Sequence, residues 1–212
     1  MTTTRPVLDH LVIATDSLEA GCNYLQERLG VTMDAGGRHD GYGTHNRLLG
    51  VGGGTYLELI APDPDQPEPE RPRPFGLDEP QLRARIAVRP RLVHYIVRTD
   101  DIEATAGAMH YDPGPAKPMT RGQLSWRVAS RFSPGALANP LPGMIEWGDQ
   151  PSPGLTMPPR GVVLSRFHVL ADAGKLASLA LLAEDRRIHL REQSIDMLAA
   201  EFITPRGWVI LD

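Results

Sequence analysis

The chain has 212 residues, 41% of them hydrophobic and 23% charged, enough to bury a sizeable core as one domain or two small ones. Its formal net charge is −4, and its Lys and Arg residues are scattered without a run, which excludes the electrostatic footprint of a nucleic-acid or anionic-lipid binder. No apolar run approaches the roughly 20 residues that span a bilayer, Met1 to Pro6 lacks the apolar stretch of a secretion signal, and the single Cys22 has no disulfide partner, so the cytoplasm is the expected location.

Val7 to Ala14 is rich in branched apolar residues without a helical period and is expected to be a strand. Asp16 or Ser17 then caps a helix running to about Leu29. Its positions Leu18, Cys22, Leu25 and Leu29 follow steps of three and four, and Gly30 supplies a left-handed stop. Arg38 to Leu49 reads as a twisted strand and turn, followed by Arg47 to Val51, a Gly52-Gly53-Gly54 hairpin and the strand Thr55 to Ile60. From Ala61 to Arg91 eight of the 20 prolines accumulate, which marks a connector, with a short helix over about Glu79 to Ala87 capped by Asp78.

Leu92 to Arg98 repeats the first strand, and Asp101 to Met109 repeats its helix. An offset of 84 matches Leu8 with Leu92, His10 with His94, Thr15 with Thr99, Asp16 with Asp100 and Glu19 with Glu103. Leu124 to Arg131 is expected to be a strand, Phe132 to Pro142 a loop, and Gly143 to Asp149 the last strand of this copy. Aligning Glu146 with Glu58 requires four inserted residues. Beyond a loop, Val162 to Leu170 reads as a strand that extends or covers the sheet. Asp172 to Glu184 reads as a helix, Arg187 to Arg191 as a strand, and Leu198 to Leu211 as a hairpin about Pro205-Arg206-Gly207. The expected organisation is a βαβββ module over 7–60, a proline-rich connector over 61–91, a second module over 92–150 and a βαβββ-like extension over 162–212. This is an α+β chain whose paired modules form a curved mixed sheet around a cavity.

Each module holds a histidine near the middle of its first strand and a glutamate near the middle of its last: His10 with Glu58, and His94 with Glu146. If the modules pack edge to edge, two imidazoles and two carboxylates converge as a mixed nitrogen and oxygen site for a divalent metal, and zinc, nickel, manganese, iron and cobalt all suit such ligands. The alternative for each histidine is a hydrogen-bonded core residue, and for each glutamate an arginine partner. Gly36-Gly37 lets backbone approach closely beside Arg38 and His39, and Thr44 and Asn46 offer short polar groups. Arg121, Trp126, Arg127 and Trp147 are candidates for the rest of a substrate wall, with an arginine as carboxylate clamp. His45, His110, His168 and His189 have no recognisable partner spacing and are read as surface or core, and Cys22 as a buried small hydrophobe.

The paired modules, the strand histidines, Leu57-Glu58-Leu59 and the run Gly36-Gly37-Arg38-His39 with Gly43-Thr44-His45-Asn46 resemble the vicinal oxygen chelate superfamily and its glyoxalase-like subgroup. The resemblance covers about residues 7 to 150. It implies metal ligation by His10, Glu58, His94 and Glu146, and a lyase or isomerase acting on a small carbonyl compound, with Glu146 favoured as the base that leaves the metal. The rival reading is a metal-free protein that binds or sequesters a small molecule. A ring-cleaving dioxygenase ranks third, because its iron takes two histidines and one carboxylate. A homodimer is expected from the exposed edges of a curved sheet, and neither nucleic acid nor membrane is expected as a partner.

Overall fold

The computed structural model describes residues 5–212, and its first ten principal elements fall into two strand–helix–three-strand series separated by a short helix. The first comprises β1 (Val7–Ala14), α1 (Leu18–Leu29), β2 (Asp34–His39), β3 (Thr44–Gly50) and β4 (Tyr56–Pro62). The Ser17 hydroxyl accepts from Ala20 N–H at the start of α1, and Gly30 ends it at φ 76°. The connector carries α2 (Pro80–Ile86), as expected in place, but Glu79 occupies the cap position without a side-chain bond. Asp78 is engaged elsewhere, accepting from the backbone and guanidinium of Arg73. The second module comprises β5 (Arg91–Arg98), α3 (Ile102–Ala108), β6 (Lys117–Arg121), β7 (Leu124–Ala129) and β8 (Gly143–Glu146), with Asp101 capping α3.

These strands form one eight-stranded sheet in the order β2-β3-β4-β1-β5-β8-β7-β6. In each module the last strand runs parallel to the first, and the modules join through the antiparallel pair β1 and β5. The sheet curls until its two edges nearly meet: the Arg121 guanidinium on β6 donates to the Asn46 amide oxygen on β3 at 3.2 Å, across Gly37 of β2. Strand β6 is absent from the sequence reading because Pro115 and Pro118 look like loop residues. At a sheet edge Pro118 needs no ladder N–H, so the strand tolerates it.

A short helix α4 (Pro153–Thr156) leads to the last unit: β9 (Val163–Ala171), α5 (Ala173–Ser178), β10 (Ile188–Glu192), β11 (Met197–Thr204) and β12 (Gly207–Leu211). The helix expected over Asp172 to Glu184 stops at Ser178 and continues as a separate 3₁₀ turn over Ala180–Leu182. Its element order is that of the modules, but its pairing is not: β9 lies inside a four-stranded sheet ordered β10-β9-β11-β12, parallel to β10 and antiparallel to β11. It is therefore a cover rather than a third copy. Phe167 packs edge-on against Tyr95 at 4.8 Å, and Phe202 and Leu211 share one core with Leu11, Leu25 and Tyr95. A second core lies on the other face of the large sheet. There Leu82 and Ile86 of α2 pack with Leu77, Val12, Val93 and Ile145, so the connector plugs part of the concavity. Among the described residues no helix is long and apolar enough to cross a membrane.

Candidate functional site

What α2 leaves open on the concave face is a cavity of about 440 Å³ with a polar floor and apolar walls. The floor begins at an irregularity in the pairing of β1 with β5, between Leu8 and His10. A bulge of this kind re-aims a side chain, and here Asp9 and His10 meet as neighbours. Asp9 Oδ1 lies 2.7 Å from His10 Nδ1, and Asp9 Oδ2 accepts from Trp147 Nε1 at 3.2 Å. Burial by itself would raise the Asp9 pKa, yet the hydrogen bond and charge of His10, helped by the Arg98 guanidinium, hold the carboxyl below the usual carboxylate range. Asp9 thus takes the Nδ1 proton's hydrogen bond and leaves Nε2 for the cavity. Tyr56 stacks on the ring at 4.6 Å between centroids and fixes its plane.

His10 Nε2 lies 3.6 Å from Glu58 Oε2. Glu58 comes from the centre of β4, and its other oxygen accepts from Asn46 Nδ2 at 2.6 Å. Asn46 is held at both ends, because its amide oxygen accepts from Gly37 N–H at 2.8 Å as well as from Arg121. Asn46 Nδ2 also faces His39 Nε2 at 3.3 Å, so this nitrogen is the acceptor and His39 Nδ1 donates to Thr44 Oγ1 at 2.9 Å. That neutral tautomer agrees with the His39 pKa, which burial pushes down against the opposing charge of Glu58. The two glycines before Arg38 serve close approach. A Cβ at Gly36 would overlap the amide oxygen and backbone of Asn46, and one at Gly37 would lie 2.6 Å from Arg121 Cδ.

Of the four expected metal ligands, the structure brings His10 and Glu58 together and places the other two elsewhere. His94 faces the same side of the sheet as His10 but is fully buried. Its Nε2 lies 3.0 Å from Ser130 Oγ, and the rings of Phe75 and Phe132 stand 5.4 and 6.0 Å from it. Burial drives its pKa down to about 3, so the ring is neutral at ordinary pH. Glu146 lies on the opposite face, in register with Arg127, to which it is paired at 2.8 Å, and it accepts from Ile102 N–H at the start of α3.

The reason is register. Thr15 N–H donates to Ile60 O, and Thr99 N–H donates to Ile145 O, so the offset is 84 on the first strand but 85 on the last. Gly143, not Glu146, therefore stands where Glu58 stands, and the four-residue insertion does not exist. The expected alignment is out by three residues, and any odd shift reverses the face. A Cβ at Gly143 would lie 2.5 Å from Ile96 Cδ1 and 3.1 Å from Ser130 Cβ, so the second carboxylate's place is already filled. The residues present do not make the expected two-histidine, two-carboxylate centre. A different group of possible donors, Asp101, Glu103 and Glu146, lies with its carboxylates within 4.8 Å of one another. Each is already committed, Asp101 to capping α3 and the two glutamates to Arg127.

His39, Asn46, Arg121, Trp126 and Trp147 of the expected substrate wall line the cavity, the two indoles 5.4 Å apart. Arg38 points away and pairs with Asp63 and Asp65, while Thr44 is buried behind His39. Sequence reasoning passed over Asp9, although it directly precedes His10, and over Tyr56, Phe75 and Phe132. Phe75 carried no signal: it sits in the connector, at φ 58°, and its ring reaches the cavity.

Residues 8–183 match the family model described as a glyoxalase-like domain. No curated protein sequence matches the chain. Among solved structures, a hypothetical protein from Staphylococcus aureus is 12% identical with a TM-score of 0.60, the match covering 97% of this chain and 98% of that one. The methylmalonyl-CoA epimerase from Mycobacterium tuberculosis is 17% identical with a TM-score of 0.43, over 70% of this chain and 93% of that one. A Streptomyces coelicolor methylmalonyl-CoA epimerase in complex with 2-nitronate-propionyl-CoA is 16% identical with a TM-score of 0.44, over 69% and 98% of the two chains. With a family model spanning most of the chain and two strand–helix–three-strand series curled into one sheet, this protein belongs to the glyoxalase-like domain family.

Proposed function

We propose that the protein takes a small carbonyl compound into this cavity and moves a proton at the carbon beside the carbonyl, in the manner of a lyase or isomerase. One observation carries the reading: His10 Nε2 and Glu58 Oε2 face each other at 3.6 Å on the floor of a largely apolar cavity, each anchored through its other polar atom. Glu58 is the base. Its Oε1 stays on Asn46 while Oε2 takes the proton from carbon. His10 in its charged form donates Nε2–H to the carbonyl oxygen as the enolate forms, with Asp9 as the buried counter-charge on the far side of the ring. Return of the proton from Glu58 to the same carbon re-forms the carbonyl, leaves Nε2–H on His10 and completes an epimerisation or a hydrogen exchange. No step runs through a metal, because the donors present do not form the centre that would hold one.

The experiment is solvent exchange. Wild-type protein in D₂O, dialysed against a chelator, is incubated with a panel of enolisable ketones and aldehydes followed by proton NMR. Deuterium entering the carbon beside the carbonyl faster than in buffer is the expected result. The aromatic walls, Phe75, Phe132 and the Trp126–Trp147 pair, favour a second reading in which the protein only binds such molecules. Saturable binding without exchange across the panel would select that reading over proton transfer.

A further inference from the structure

The cations that line the cavity, Arg71, Arg73, Lys117 and Arg121, outnumber its carboxylates, Glu58 and Glu79, and of the four only Arg73 is salt-bridged among the described residues. Most arginines of the second module are committed: Arg127 to Glu103 and Glu146, Arg131 to Asp112, Arg98 to Asp9 and two backbone carbonyls. Arg121 also lines the cavity, half-buried, and among the described residues it forms no ion pair. Its one hydrogen bond goes to a neutral acceptor, the Asn46 amide oxygen, through Nη1. Gly37 beneath its Cδ lets the side chain lie flat against β2, which fixes the guanidinium at the closing seam of the sheet. A guanidinium held in this way presents a planar donor fork that carboxylates match with two parallel hydrogen bonds.

From this we infer that the ligand carries a carboxylate of its own, clamped by Arg121, in addition to its carbonyl and an apolar, preferably aromatic, body. The inference rests on reading this cavity as the ligand site and adds the substrate class. Geometry limits the spacing. Arg121 and Glu58 hold the two ends of one carboxamide, that of Asn46, so the ligand's carboxylate and its acidic carbon lie only a few bonds apart. The apolar body then lies along Met119, Trp126, Val128, Ile145 and Phe132, which line the cavity from that seam inward. Asn46 couples the two ends: the amide that orients the base also orients the anion clamp.

The probe is 3-benzoylpropanoate, which has an aryl ketone, an enolisable methylene and a carboxylate two carbons from the carbonyl. Its methyl ester differs only in lacking the charge. Calorimetric titration of the wild-type protein should show the acid binding roughly 10- to 100-fold more tightly than the ester. In Arg121→Met the gap should close through loss of acid affinity, and in Arg121→Lys part of it should persist. Equal affinity for acid and ester in the wild type, or failure of both to bind, overturns the inference, and neither comparison depends on a variant that folds poorly. Exchange separates it from the proton-transfer reading. Preferential acid binding without deuterium entry ends that reading and leaves the clamp standing, whereas equal binding with equal exchange of acid and ester does the reverse.

Discussion

His10 and His94 occupy matching positions on matching strands, and their surroundings give them opposite properties. At His10 the carboxylate of Asp9 holds one nitrogen and the other opens on the cavity, whereas at His94 full burial between aromatic rings keeps the imidazole neutral. The sequence shows the two histidines and not their shells, because Phe75 and Phe132 come from loops that carry no periodicity. Both shells give a pH dependence with a definite sign. The Asp9 carboxyl lies below its ordinary value in the folded protein, so its contribution is present above the usual carboxylate range and is lost as pH falls through the folded value. Asp9→Asn should cost about 1 to 3 kcal/mol at pH 7 and flatten the acid limb of a denaturation series. His94 is shifted from 6.5 to about 3, so between those values the unfolded chain binds the proton and the folded one does not. Stability should therefore decline as pH drops below 6.5, by up to about 1.4 kcal/mol per pH unit, and His94→Leu should remove that slope. Urea titrations from pH 7 to pH 4 check His94→Leu, and their extension to about pH 2 checks Asp9→Asn; an unchanged slope in His94→Leu would contradict the neutral, buried assignment.

At the scale of elements, helices α1 and α3 and the first strands were legible because caps and apolar spacing are local. Ser17, Gly30 and Asp101 mark their helix ends in the structure as in the sequence. The last strand of the second module was legible as a strand but not in its register, since Gly143 to Asp149 offers several alignments to β4 and only ladder hydrogen bonds choose among them. That one choice moves Glu146 from the cavity to the α3 face. The glycines of the seam are more informative than they look. Gly36 packs against the backbone of Asn46, which cannot yield as a flexible side-chain tip would, so Gly36→Ala should destabilise by roughly 1 to 3 kcal/mol and displace the Asn46 amide from Glu58. Gly143→Glu, which restores a carboxylate at the pseudo-symmetric position, should lower the melting temperature without creating a metal site. A tight, stoichiometric gain of zinc by that variant would show that Ile96 and Ser130 can make room after all.

The whole molecule behaves as one body because the C-terminal sheet and the large sheet share a single core. Its strand content was readable from branched residues, but its role as cover was not, since the same βαβββ order can pair in more than one way. Phe167→Ala, at the contact with Tyr95, should cost about 3 to 5 kcal/mol, and the thermal transition should stay single, whether followed by far-ultraviolet or by aromatic circular dichroism. Two separated transitions would mean that the cover unfolds independently. Behind this shared frame the cavity floor is held rigid, and the central claim is that Glu58 on that floor is the base. The most direct test is deuterium entry into bound 3-benzoylpropanoate with Glu58→Gln, which keeps the size of the side chain and its contact with Asn46. The account predicts that exchange falls by at least about 100-fold while affinity changes by less than about tenfold. Exchange that persists at the wild-type rate in Glu58→Gln would contradict it.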